Sequence, residues 1–243
     1  MPEFKVEFSK LKIGVKSIYD FTERFCFDYL TQGDVDFSVS TSEEKIREEI
    51  EISEFDPTPD YAESICIYRE IAERLPLYNR CIFHGAVIEY NNKGYIFTAP
   101  SGTGKTTHIS LWKKYLGNEN VNIVNGDKPI LHIRENAVTA YATPYAGKEG
   151  YQNHSFVDIK AICFIKQAKE NKIYRLKSSE CLADIMAQIY RPYNSGALVK
   201  TLELLDLLMR GIPVYRLECD MSEDAVKCSF EGLTEERYVR YED

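Results

Sequence analysis

The chain has 243 residues, of which 44% are hydrophobic and 28% charged, with a formal net charge of -8. That length supports one large α/β domain, or a core domain with a smaller lobe, and buries enough apolar surface to need no covalent or metal staple. The acidic balance excludes a general nucleic-acid or anionic-membrane surface but leaves room for a local basic pocket that takes phosphate, so small molecules or proteins are the expected partners.

From Phe4 to Ser40 the residues alternate loosely, through Phe4-Val6-Phe8, Ile13-Val15 and Phe25-Phe27-Tyr29, which predicts a small antiparallel unit. Ser42 to Ile52 reads as a short acidic helix or an edge segment, and Asp56-Pro-Thr-Pro-Asp60 is a break. The expected division is therefore an N-terminal α+β segment over 1–58 and a larger domain over 59–243. Tyr61 to Leu75 carries Ile65, Tyr68, Ile71, Ala72 and Leu75 at helical spacing, with Asp60 as the expected N-cap.

The centre of the chain has the strongest pattern. Cys81 to Tyr90 predicts a strand, Asn91-Asn-Lys-Gly94 a hairpin turn, and Tyr95 to Thr98 a second strand that runs into a glycine loop. Lys105 to Tyr115 predicts a helix, and Val121 to Val124 a short buried strand that ends at Asn125-Gly-Asp-Lys128. Strands are expected at 130–133, 137–142, 159–165, 173–176 and 214–217. Helices are expected at 180–190, 197–209 and 222–233, the last capped by Ser222. The fold class is α/β with a mixed sheet.

The seven cysteines, Cys26, Cys66, Cys81, Cys163, Cys181, Cys219 and Cys228, form no C-x-x-C pair and read as reduced core residues. His132 and His154 have no partners at metal spacing, and no zinc site is expected. The first residues carry no apolar signal region or cleavage pattern, and no stretch approaches about 18 uninterrupted apolar residues, so a cytoplasmic protein without a membrane span is expected. The 17 Tyr and 12 Phe are scattered along strands rather than set in an RNA-binding signature, which assigns them to the core.

The chemistry lies in Ala99-Pro-Ser-Gly-Thr-Gly-Lys-Thr106. A phosphate cradle needs consecutive backbone N–H groups aimed inward, and a helix N-terminus adds the positive end of its dipole. In this Walker A pattern Gly102 and Gly104 let the backbone approach the anion, with Ser101 and Thr103 between and before them. Lys105 can reach the β and γ phosphates, the Thr106 hydroxyl can ligate Mg²⁺, and Thr107 completes the first helical turn. Ala99 replaces the usual first glycine, which a strand end with negative φ tolerates. Asp127, just past an apolar strand, stands where a carboxylate would hold the metal or its water. Asn-Gly-Asp is also ordinary turn composition.

These residues resemble the kinase domain of HPr kinase/phosphorylase and its relatives, which share a P-loop core with phosphoenolpyruvate carboxykinase. The matching elements, in order, are Phe83-His84-Gly85, the hairpin into Ser101-Gly-Thr-Gly-Lys-Thr106, the Gly126-Asp127 strand end, and Gly147-Lys-Glu-Gly150, over about residues 80 to 220. The resemblance implies that Asp127 is the metal-associated acid. It also implies that Gly126 replaces the acid that takes the proton from the substrate serine. His84 falls on the family's His-Gly motif, where an imidazole can bind the γ phosphate or accept a proton; otherwise it is a histidine satisfied beneath the sheet. Glu149 is a second candidate metal-associated carboxylate and Lys148 a contact for phosphate or an acidic group, with a solvated charge pair as the plain reading. His108 and Arg191 carry weaker signals with bland readings.

The implied activity is an ATP- and Mg²⁺-dependent kinase that transfers the γ phosphate to a hydroxyl of a protein or peptide serine or of a small metabolite. His84, Lys105, Asp127 and Glu149 are the expected catalytic residues. A nucleotide-binding sensor or accessory protein with weak catalysis is the alternative, favoured by Gly126. A carboxykinase-like enzyme ranks last, because the chain is short for that group and has no evident arginine cluster. The family's tendency to assemble implies a homo-oligomer.

Overall fold

A computed structural model describes residues 2–100 and 102–241. Ser101, one of the expected loop residues, lies outside them. The chain divides into two compact units, one of residues 1–78 with 191–201 and one of residues 79–190 with 202–243. Among the described residues no helix is long and apolar enough to cross a membrane.

In the first unit, β1 (Glu3–Phe8) and β2 (Leu11–Lys16) form an antiparallel hairpin, closed by Ser9 and Lys10 with φ of 49° and 64°. Positive φ at both positions matches the right-handed twist of the strands. Alternate residues of β1 are buried, as the sequence pattern requires. The third strand, β3 (Phe37–Ser40), runs parallel to β2, so the unit is mixed rather than antiparallel as expected. The reason lies between the strands, where residues 21–29 form helix α1 (Phe21–Phe25) and a 3-10 turn over Phe27–Tyr29 and give the chain room to cross over. Phe21 and Phe25, one helical turn apart, stack at 5.6 Å, and Tyr29 packs edge-on against Phe8 at 5.2 Å. An apparent strand alternation is thereby satisfied by a helix.

Helix α2 (Glu43–Ile52) starts at Ser42, whose hydroxyl accepts from Lys45 N–H at 3.3 Å. Helix α3 (Pro59–Arg74) starts earlier than expected, with Thr58 rather than Asp60 at the N-cap and Pro59 in the first turn. Proline suits that position because its missing N–H would have had no partner. A bidentate pair between Arg69 and the buried Glu49 joins α3 to α2. Glu63, fully buried on α3, accepts from the N–H groups of Ile18 and Tyr19 at 2.5 and 3.1 Å and so fixes the loop after β2.

Among the described residues the second unit is built on nine strands. They are β4 (Arg80–Ile82), β5 (Ala86–Tyr90), β6 (Lys93–Thr98), β7 (Val121–Asn125), β8 (Ile130–Arg134), β9 (Ala137–Tyr141), β10 (Phe156–Gln167), β11 (Lys172–Arg175) and β12 (Val214–Cys219). The sheet order is β4-β8-β9-β10-β6-β5-β7, with β12 also paired to β10 and β11 to β12. The β10–β6 and β10–β12 pairings are parallel and the others antiparallel, so the sheet is mixed, as expected. The predicted single strand over Cys81–Tyr90 is two strands. The chain leaves the ladder at His84 and Gly85, whose N–H groups donate to Gln188 O at 2.7 Å and Asp127 O at 2.8 Å.

Helices α4 (Lys105–Leu116), α5 (Ser178–Gln188), α6 (Ser195–Gly211) and α7 (Glu223–Thr234) complete the order, and Ser222 caps α7 as predicted. Strict alternation divides the core into two layers. Ala86, Ile88, Tyr95, Phe97, Ala161 and Cys163 pack with Ile109 and Trp112 of α4 and Phe230 of α7. Val87, Ile96, Ile162 and Phe164 pack with Ile185 of α5 and Leu204 and Leu208 of α6. Strands apolar on both faces read as continuous hydrophobic runs, which is why they were legible.

Candidate functional site

Strand β5 pairs antiparallel with both β6 and β7, so the C-terminal ends of β6 and β7 and the N-terminal end of β5 lie at one edge of the sheet. The glycine loop leaves β6 there, Asp127 follows β7, and His84 precedes β5. Three segments distant in sequence are thus delivered to one place by strand pairing alone.

The loop has the conformation that its glycines allow. Gly102 has φ of +77° and Gly104 φ of +107°, and among the described residues nothing beyond the chain neighbours lies within 4 Å of a Cβ built on either. L-residues rarely adopt such φ, and the open space at both positions leaves room for a group approaching the backbone. Thr103 folds back, its hydroxyl donating to Pro100 O at 2.8 Å. Gly104 is the N-cap of α4, so Lys105, Thr106 and Thr107 form its first turn. Lys105 is 9% exposed and its Nζ donates to Ala99 O at 2.9 Å, so the ammonium turns back along the loop. Burial lowers its pKa, the charge of Asp127 draws it upward, and Lys128 lowers it again; the net direction is down. An anion at the loop would reverse that balance.

Asp127 is the junction of the site. Its Oδ1 is 3.2 Å from His84 Nε2 and its Oδ2 is 3.1 Å from Lys128 Nζ. Burial raises the carboxyl's pKa, but the hydrogen bond from His84 and the charge of Lys128 outweigh it and hold the group below the usual carboxylate range. The carboxylate therefore stays ionised among three groups able to carry positive charge, Lys105, Lys128 and His84. Lys105 and Lys128 thus outnumber the one carboxylate between them in an otherwise acidic chain. Among the described residues no cluster of three or more His, Cys, Asp or Glu side chains could hold a metal by itself. Mg²⁺ needs less, since it is usually held by one or two carboxylates plus phosphate oxygens and water, and Asp127 offers one such carboxylate.

Two features of the Asp127 loop were not read from the sequence. Asn125, fully buried, accepts at Oδ1 from the N–H groups of Asp127 and Lys128, each at 2.9 Å, and its Nδ2 donates to Thr143 O at 3.0 Å. The Asn-Gly-Asp composition signalled a turn, and the asparagine is the residue that builds it. A Cβ on Gly126 would lie 2.7 Å from Ala146 O, and Gly126 N–H donates to Tyr151 O at 2.8 Å. The space a side chain at position 126 would need is closed by the neighbouring loop.

That loop brings Gly147-Lys-Glu-Gly150 beside Asp127, for a Cβ on Gly147 would lie 3.3 Å from Asp127 Cβ and 3.6 Å from Glu149 Oε2. Lys148 and Glu149 are both exposed. Lys105, His84 and Asp127 converge, Glu149 stands at the margin, and His108, a residue of α4, is buried on the inner side of that helix against Phe97. Arg191 belongs to the other compact unit.

No protein-family model matches the chain, and no curated protein does. Among solved structures, it is similar to the HPr(Ser) kinase/phosphatase from Coxiella burnetii, with 9% sequence identity, 63% of this chain and 93% of that chain covered, and a TM-score of 0.37. A superposition of that quality carries no argument about chemistry here.

Proposed function

We propose that the chain is an HPr-kinase-like phosphotransferase that holds ATP with Mg²⁺ and moves the γ phosphate to a hydroxyl of a protein, a peptide or a small metabolite. The observation that carries this reading is the convergence of the open glycine loop, Lys105 and the His84–Asp127 pair at one sheet edge. MgATP would supply the phosphoryl group and, through the ion, charge neutralisation on its oxygens. Lys105 and the first N–H groups of α4 would bind that charge where it develops. Thr106 and Asp127 Oδ2 would hold the metal, Asp127 giving up Lys128. Asp127 Oδ1 would keep the His84 tautomer that donates from Nε2, leaving Nδ1 to take the acceptor's proton.

Incubation of the protein with γ-labelled ATP, Mg²⁺ and a cell extract tests the reading. Label is expected to reach an acceptor with the wild type, to fail with Lys105→Ala, and to slow by about 10²- to 10⁴-fold with His84→Ala. The second reading, a nucleotide sensor or accessory without efficient catalysis, is favoured by the closed space at Gly126. It wins if ATP binds but no Lys105-dependent transfer to any acceptor or to water occurs.

A further inference from the structure

The phosphate loop does not end in open solvent on every side. Thr103, Gly104 and Thr107, which form the loop and the first turn of α4, also wall a cavity of about 240 Å³ that the phosphate reading leaves unused. Its remaining lining comes from α4, from the end of β10 and from the residues after β12. We propose that this cavity seats the base and ribose of a nucleoside triphosphate whose phosphates lie on the glycine loop. The proposal rests on the phosphate-loop reading and extends it to the uncharged end of the ligand.

Volume favours a part of a ligand over a whole one. Whole drug-sized ligands occupy pockets of roughly 300–1,000 Å³, so a smaller cavity continuous with the loop takes one ring system while the rest of the molecule lies outside. The lining has the required chemistry. Leu111, Ile165 and Met221 offer apolar walls, and Gln167 and Asp220 offer polar groups at the rim. Gln167 Nε2 donates to Thr103 O at 3.2 Å, which ties this rim to the loop itself.

Charge sets the direction in which the ligand enters. Asp220 Oδ1 accepts from Ser222 N–H at 2.9 Å and from Asn171 Nδ2 at 3.1 Å, and the Ser222 hydroxyl foremost holds the carboxyl below its ordinary pKa. An ionised carboxylate at the far rim repels phosphate and accepts from hydroxyl or amino groups. The N-terminus of α4, which Gly104 and Thr107 bring to the cavity wall, does the reverse.

His108 supplies an independent observation. It lines the cavity, is 3% exposed, and its Nδ1 is buried without a partner among the described residues. Ser229 Oγ lies 3.0 Å from His108 Nε2, and Trp112 Nε1–H reaches both Ser229 Oγ at 2.8 Å and His108 Nε2 at 3.2 Å. Whichever ring nitrogen carries the proton, Nδ1 is left without a hydrogen-bond partner among the described residues, a cost that structures seldom carry without a use.

Titration calorimetry of the full chain with Mg²⁺ and either ATP or inorganic tripolyphosphate tests the proposal. The wild type is expected to bind ATP at least about tenfold more tightly than tripolyphosphate. Ala168→Trp, at the cavity wall, is expected to abolish that preference while leaving tripolyphosphate affinity as it was. Met221 is 75% exposed, so Met221→Ala carries little folding risk and is expected to weaken ATP alone by roughly threefold to fivefold. Equal wild-type affinities for the two probes, or an ATP preference that survives both substitutions, would overturn the base site and leave the loop standing. Failure of the wild type to bind either probe would overturn the loop reading itself.

Discussion

A Cβ on Gly126 would meet the Ala146 carbonyl oxygen at 2.7 Å, and backbone has nowhere cheap to go. The resemblance to HPr kinases implies that an aspartate at this position would supply a base. The geometry predicts the opposite: Gly126→Asp lowers stability by about 1–3 kcal/mol through overpacking and gives no gain in phosphoryl transfer. Denaturant midpoints and transfer rates on the same preparation check this, and a faster enzyme of unchanged stability would refute it. His108 offers a second residue-scale outcome. Burial pushes its pKa down to about 4 from an ordinary 6.5, so the folded chain keeps it neutral. Between pH 6.5 and 4 the unfolded state binds the extra proton, and stability falls as pH falls through that window, by about 3 kcal/mol at most. Urea midpoints across the window are expected to lose that part of their slope in His108→Leu. Identical slopes would show that the histidine titrates normally.

Asn125 acts at the scale of an element, because it bonds both N–H groups of the turn that presents Asp127 and also reaches Thr143. Asn125→Ala would remove the acceptor of the Asp127 N–H and loosen the turn, while the Lys128 N–H keeps Tyr145 O at 3.1 Å. It is expected to destabilise the chain by about 2–4 kcal/mol and to weaken Mg²⁺-dependent ATP binding more than tripolyphosphate binding without metal. Calorimetry with and without Mg²⁺ distinguishes this from a general loss of fold. The elements around the site were legible in the sequence where the apolar run is continuous, as in Tyr95-Ile-Phe97, whose side chains enter the two core layers in turn. Cys81 to Tyr90 misled because apolar residues stand on both sides of the short interruption at His84 and Gly85. What ends the strand is backbone bonding to Gln188 and Asp127, which no local pattern announces. Phe25-Phe27-Tyr29 misled because aromatics two apart also suit a short helix followed by a 3-10 turn.

At the scale of the whole molecule, the glycine loop, Lys105 and Asp127 could be named from residue type and order, but their convergence depends on pairings across the sheet. The His84–Asp127 contact joins residues on opposite sides of the loop in sequence, and only the order β6-β5-β7 brings their strand ends to one edge. The break at Asp56 to Asp60 is one of composition, whereas the compact units are set by contacts. Residues 191–201 join the first unit, where Glu73 accepts from the N–H groups of Tyr193 and Asn194 at 3.0 and 3.3 Å. A single carboxylate on a charged helix face gives no sign of such a distant partner. The site itself is a small positive region in a chain of net charge -8, so its affinity for phosphate rests on few groups. Lys105 is the one whose loss is most diagnostic. Calorimetric titration of MgATP into the wild type and Lys105→Ala is expected to show one site per chain, weakened about tenfold to hundredfold by the substitution. Absence of binding to the wild type, or equal affinity in the two proteins, would contradict a phosphate-binding loop at Ala99 to Thr106.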